Sequence, residues 1–91
     1  MTGEHTEYNV EIPVCDHAEN RGWLCRKLQW TGRRGGPDRL FAKAGRVVLV
    51  EFKRPKAGPR AQQEREIERL RKAGVEVHVI DSVEKGCALF D

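Results

Sequence analysis

The sequence predicts an α/β fold, a central mixed sheet flanked by helices, with elements in the order helix, three strands, helix, strand (αβββαβ). Three observations lead there. The run Val47-Val48-Leu49-Val50 is apolar on both faces, the pattern of a central strand covered on each side. Val75 to Ile80, VEVHVI, alternates cleanly, with Val75, Val77 and Val79 on one side and Glu76, His78 and Ile80 on the other. Between these two runs lies a segment with helical spacing of its apolar positions, and a strand-helix-strand unit in one sheet favours parallel pairing through a right-handed crossover. The strand before Val47 is joined to it by a short glycine turn, which makes that pair antiparallel and the sheet mixed.

Taken in order, Met1 to Asn9 is a polar, frayed end with Tyr8 as the first core contact. A helix is expected from about Val10, because Val14, Cys15 and Ala18 form an apolar stripe, with Pro13 in its first turn and Gly22 ending it. Glu11 lies on that stripe and Glu19 on its flank, so either carboxylate can reach a site at the helix edge. Trp23 to Trp30, WLCRKLQW, reads as a strand, with Lys27 and Gln29 of one parity available to an active face. Trp30 is equally suited to stack on a base or to fill core. Thr31 to Pro37 is a loop whose glycines let backbone approach closely and whose Arg33 and Arg34 can hold phosphate. The hairpin Arg39 to Ala42 and Arg46 to Phe52 turns at Lys43-Ala44-Gly45. After the basic Pro-Gly segment Arg54 to Pro59, a helix runs from Arg60 or Ala61 to Ala73 and closes at Gly74. Its inward face reads Gln63, Ile67 and Leu70, while Gln62, Glu66, Arg69 and Lys72 face water. The tail Asp81 to Asp91 is expected to cover a sheet edge with Val83, Ala88, Leu89 and Phe90.

Length and composition bound what the chain can be. Its 91 residues suit one domain, with the core of the fold at about residues 10–81. With 38% hydrophobic and 34% charged residues the buried set must be compact, and a second copy completing it makes a homodimer the expectation. No apolar run approaches the roughly 20 residues of a membrane helix and no signal peptide opens the chain, so a cytoplasmic protein without a membrane partner is expected. Three cysteines, Cys15, Cys25 and Cys87, are an odd number without CxxC spacing, which excludes a disulfide framework and a zinc knuckle and leaves free, mostly buried thiols. His5, His17 and His78 are scattered and read as structural.

The charge is uneven. From Arg26 to Arg60 eleven basic residues face two acidic ones, a net +9, while the remainder carries six and twelve, a net −6. A solvated face mixes signs, so this bias points to a polyanion, nucleic-acid phosphate above all. Lys27, Arg33, Arg34, Arg39, Arg54 and Lys56 are the candidate nucleic-acid contacts. The two acids in this basic setting are Asp38, after a Gly-Pro turn, and Glu51, at the end of the central strand. Paired as a hairpin, the strands bring Asp38 to the end nearest Glu51, and two carboxylates can then hold one divalent cation. Strand alternation puts Lys53 on the same face as Glu51. Gln63, polar on an apolar helix stripe, needs a partner and is a candidate to bond a site carboxylate, a lysine or the nucleic-acid backbone.

Gly36-Pro37-Asp38, Glu51-Phe52-Lys53 and Gln63 together resemble the VRR-NUC branch of the PD-(D/E)xK nucleases, over about Glu11 to Asp81. The resemblance implies a restriction-endonuclease-like core and a metal-dependent DNA endonuclease active in a bacterial or phage-infected cell. It implies that Asp38, Glu51 and the backbone carbonyl of Phe52 bind Mg²⁺ or Mn²⁺. Lys53 would position the attacking water and steady the transition-state charge, and Gln63 would be the family's helix glutamine. It further implies a glutamate on the first helix completing the metal site, for which Glu11 fits better than Glu19. Stand-alone members of this size resemble homodimeric resolvases of branched DNA. The competing class is a non-catalytic nucleic-acid-binding domain on the same scaffold, which would need the arginines but not the acids.

Overall fold

Four strands, β1 (Leu24–Lys27), β2 (Arg39–Lys43), β3 (Arg46–Phe52) and β4 (Glu76–Ile80), form one mixed sheet in the order β1-β2-β3-β4. In this computed structural model, residues 7–32, 35–53 and 61–91 are described. β1 and β2 pair antiparallel, as do β2 and β3, and β4 joins β3 in parallel with Glu51 opposite Val79. Three helices complete the described residues: α1 (Glu7–Asn20), α2 (Ala61–Lys72) and α3 (Val83–Leu89).

β3 is covered on both sides, as its unbroken apolar run requires. Val48, Val50 and Phe52 enter the larger core with Val10, Val14 and Ala18 of α1, Phe41 of β2, Ile80 of β4 and Phe90. Leu49 faces the other way, into a smaller cluster with Ile67 of α2 and Val77 of β4. Each of these side chains larger than alanine contributes roughly 1.5–3 kcal/mol on burial, and with an apolar layer on either side of the sheet the direction of alternation is strongly fixed. The β2–β3 turn is Ala44-Gly45, both at positive φ (51° and 84°). That is the pattern whose twist suits a two-residue hairpin, and glycine takes its half without steric cost.

α1 begins a full turn earlier than the sequence suggests, at Glu7, so Pro13 is exposed inside the helix instead of in its first turn. The helix accommodates the hydrogen bond that proline cannot donate, with Val10 and Val14 on either side of it buried against the sheet. β1 is four residues, not eight. Its flanking tryptophans are drawn elsewhere: Trp23 Nε1 donates to Phe90 O at 3.2 Å, and Trp30 Nε1 to Pro37 O at 2.8 Å. α2 ends in a glycine cap, with Gly74 at φ 96° and the Val75 amide returning to Leu70 O at 3.0 Å.

The C-terminal segment forms a helix on α1 where an edge cover was expected. Ser82 Oγ caps α3 by accepting from the Lys85 amide at 3.2 Å. Gly86 lets α3 approach Val14, and Phe90 inserts between Trp23 and Phe41, with ring centroids 5.0 and 4.3 Å away. Val83 and Ala88, assigned to the cover, remain exposed. Cys15 and Cys25 are buried and Cys87 is half-buried, all three as free thiols. Among the described residues no helix is long and apolar enough to cross a membrane.

Candidate metal and hydrolytic site

The end of β3 gathers most of the chemistry. Alternation turns Val50 and Phe52 into the α1 core and leaves Glu51 and Lys53 on the α2 face. Lys53 lies one residue beyond β3, yet its amide donates to Ile80 O at 2.9 Å, extending the parallel pairing and fixing the direction of its side chain. Lys53 Nζ stands 3.2 Å from Glu51 Oε2, and Gln63 Nε2 donates to the same oxygen at 2.9 Å. Gln63 reaches it because it occupies the first turn of α2, one helical repeat before Ile67 on the sheet-facing stripe.

Asp38 enters from the other side. Buried Pro37 precedes it, and its backbone is held between two strands: its amide donates to Val50 O and its carbonyl accepts from the Leu28 amide, each at 2.9 Å. Its Oδ2 accepts from the Phe52 amide at 2.9 Å. That amide belongs to the peptide linking Glu51 to Phe52, so the carboxylate of Asp38 abuts the backbone carrying Glu51.

Glu51 is only 3% exposed, and its Oε1 is buried. A carboxylate placed there carries a large desolvation cost, which the Lys53 ammonium and the Gln63 amide offset on Oε2. Two carboxylates and the carbonyl groups of the β3 terminus make a donor set of hard oxygens. Oxygen donors of this kind are the ones a hard divalent cation takes. Lys53 and Gln63 thus meet on the Glu51 carboxylate, and Asp38 bonds the amide of the peptide that follows Glu51.

The first-helix acids are not brought to them. Glu11 Oε2 takes a hydrogen bond from Arg39 Nε at 2.5 Å, and Arg39 Nη1 lies 3.7 Å from Cys25 Sγ. This pair sits on the α1 side of the sheet, because Arg39 shares its strand face with Phe41, whereas Glu51 points to α2. Glu19 is exposed in the last turn of α1. Among the described residues no group of three or more His, Cys, Asp or Glu converges.

Lys27 is exposed at the end of β1, as is Gln29 beyond it, whereas Arg39 is largely enclosed by its pairing with Glu11. Arg33, Arg34, Arg54 and Lys56 lie outside the described residues. Glu66, read from the sequence as facing water, is instead buried and bonded to Arg69 at 3.1 Å. Its spacing of three after Gln63 and four before Leu70, on the rim of the inward stripe, was the available signal. An open pocket of about 290 Å³ between α2 and β4, lined by Glu64, Ile67, Glu68, Arg71 and Val79, shares none of the clustered residues. The Cys15 thiol is pushed up by burial and by its neighbour Cys25, which makes it an inert core group and not a nucleophile.

No family model matches the chain. A protein of Acyrthosiphon pisum secondary endosymbiont phage 1 bearing the name "Putative nuclease p44" is 38% identical over 77 residues, 84% of this chain and 83% of its own length. A solved structure described as "VRR_NUC domain" superposes with a TM-score of 0.85 at 36% identity, covering 91% of each chain. With fold, length and sequence all in agreement, this chain belongs to the VRR-NUC family.

Proposed function

We propose that the protein is a divalent-metal-dependent DNA endonuclease that hydrolyses phosphodiester bonds with Mg²⁺, for which Mn²⁺ can substitute. The observation that carries this reading is the convergence of Lys53 and Gln63 on one oxygen of the buried Glu51, next to the peptide that Asp38 holds. Its kinship with a VRR_NUC structure and with the phage protein "Putative nuclease p44" supports it. A binding-only domain has no use for buried acids inside a segment of net +9, because carboxylates repel phosphate unless a cation lies between.

In this reading Asp38, Glu51 and the Phe52 carbonyl hold the cation. When bound, it supplies Lewis-acid polarisation of a phosphoryl oxygen and lowers the pKa of a coordinated water. The remaining chemistry belongs to the side chains. The Lys53 ammonium, on a backbone bonded to β4, orients the attacking water and stabilises negative charge as the water oxygen bonds to phosphorus and the ester P–O bond breaks, the water's proton passing to solvent and the departing oxygen taking one from it. Gln63 holds the Glu51 carboxylate in one rotamer, so its free energy of ordering is spent before substrate arrives. Lys27, with the arginines and lysines at positions 33, 34, 54 and 56, tracks the DNA backbone.

A homodimer acting on branched DNA suits the reading, since two sites about a two-fold axis cut symmetry-related strands. The cytoplasm of a phage-infected bacterium is the setting that the phage relative suggests. The test is incubation with Mn²⁺ or Mg²⁺ and a panel of linear, nicked, flapped and four-way DNA, alongside Asp38→Asn and Glu51→Gln. Cleavage by the wild type that EDTA and either substitution remove is expected. Tight DNA binding without any product, in every metal, would instead identify a binding domain.

A further inference from the structure

We infer that Trp30 is a positioning residue for Asp38, acting through the Gly36-Pro37 turn, and not a platform for a DNA base. The inference rests on the reading of Asp38 as a cation ligand. The indole Nε1 donates to Pro37 O at 2.8 Å, and the amide of Asp38 donates to Val50 O at 2.9 Å. Pro37 C=O and Asp38 N–H are the two ends of one planar peptide unit. That plane is therefore pinned at both ends, by Trp30 and by β3, and with it the direction in which the Asp38 side chain leaves the backbone.

The surrounding packing leaves little slack. A Cβ at Gly36 would lie 2.5 Å from the indole atoms Cε2 and Nε1, so the ring rests directly on this glycine. At Gly35, with φ +84°, a Cβ would lie 2.9 Å from Gln63 Cα and 3.1 Å from Gln62 O. One four-residue turn, Gly35 to Asp38, thus touches the first turn of α2 at one end and β3 at the other. It fixes the separation between Asp38 and Gln63, the residues that meet the Glu51-Phe52 segment from opposite sides. Pro37 itself is fully buried and blocks relaxation between them. An indole edge engaged with Pro37 O and a face set against Gly36 and the α2-side cluster are the marks of a clamp.

The experiment uses the full chain, Trp30→Phe, which keeps the ring and removes the donor. Readouts are Mn²⁺ binding by the loss of the free-ion EPR signal, DNA affinity, and kcat separately from KM. The expected result is weakened Mn²⁺ binding and a kcat lowered roughly 10- to 100-fold, the scale of an ångström-level misplacement, with DNA affinity within about twofold of wild type. A base-stacking role gives the opposite split: Trp30→Phe, which still stacks, leaves Mn²⁺ binding and kcat intact, whereas Trp30→Ala lowers DNA affinity about 5- to 150-fold, and that result overturns the inference. In a second arm Gly36→Ala lowers Mn²⁺ affinity in the wild type and has no added effect in Trp30→Ala, because the clash is with the indole; equal effects in both backgrounds overturn the clamp. Asp38→Asn separates the two levels. If it abolishes Mn²⁺ binding while Trp30→Phe changes nothing, this inference alone fails; if the wild type binds no Mn²⁺, the metal reading fails with it.

Discussion

Replacing Lys53 with methionine isolates the electrostatics of the site from its chemistry. The substitution keeps the volume of the aliphatic stem but removes the ammonium 3.2 Å from a carboxylate that is 3% exposed. Breaking a buried pair by deleting one partner costs about 3–5 kcal/mol, and because Lys53 is itself 12% exposed the lower end, about 3 kcal/mol, is expected. In a domain of this size each kcal/mol moves the midpoint by about 4–8 °C, so Lys53→Met melts roughly 12–24 °C below wild type in EDTA. On the proposed reading a divalent ion at the same carboxylate takes the place of the missing charge and binds the variant more tightly, and at one saturating concentration each tenfold gain in affinity over wild type returns about 1.4 kcal/mol more. Thermal melts in EDTA and in graded Mg²⁺ or Mn²⁺ therefore show a variant rescued by metal far more than the wild type, yet inactive. The double variant Glu51→Gln, Lys53→Met removes both charges and recovers most of the lost stability without metal. A single variant that melts within about 2 °C of wild type in EDTA, or a double variant no better than the single, would refute the buried-pair argument.

Three further outcomes follow from other parts of the molecule. Arg46 (at 3.0 and 2.6 Å) and then His78 (at 2.8 Å) hydrogen-bond the Glu76 carboxylate and hold its pKa down to about 2 from 4.5. A depressed folded-state pKa contributes stability that is complete above pH 4.5 and is lost as the pH falls toward 2. Glu76→Gln should flatten urea midpoints across that window, losing about 1 kcal/mol at neutral pH because the group is 36% exposed and screened. Gly86→Ala should destabilise by about 1–3 kcal/mol despite alanine's better helix propensity, because its Cβ would meet Val14 Cγ2 at 2.4 Å; Val14→Ala in the same chain should relieve much of that loss in denaturant melts. Neutralising Arg33 and Arg34 should lower the slope of log K against log salt for duplex DNA by about 2, and an unchanged slope would place the phosphate track elsewhere.

What could be read from the sequence and what could not divides along the range of the interactions. β3 was legible as a short unbroken apolar run and β4 by its alternation, and the parallel pairing followed from the helix between them. The Lys53–Glu51 geometry needed only the alternation of one strand, and Gln63 only the stripe of one helix. The terminal segment failed for the opposite reason. Nothing local in Asp81 to Asp91 announces that Phe90 fills a gap between Trp23 and Phe41, contacts that span more than forty residues of chain. β1 was overestimated because Trp23 and Trp30 have strand propensity, while each is claimed by a hydrogen bond to a carbonyl remote from the strand.

Glu11 shows how a helix stripe can be read correctly and its destination still be missed. Its place among the apolar positions of α1 does bring it to the sheet, where it is mostly enclosed. Which face α1 covers, however, depends on the parity of β2 and β3, and both strands turn Phe41, Val48, Val50 and Phe52 toward α1. An acid on that side meets the residues alternating with the site, and at Arg39 it finds a guanidinium, not a second carboxylate. The consequence is mechanical. Arg39 directly follows Asp38 in the chain, so the Glu11 pairing ties α1 to the strand that begins at the site, while Glu51 answers to α2 through Gln63. Glu11 and Glu51 are thus held in opposite layers of the fold, with the sheet between them, while Asp38 reaches the Glu51 side through the Phe52 amide.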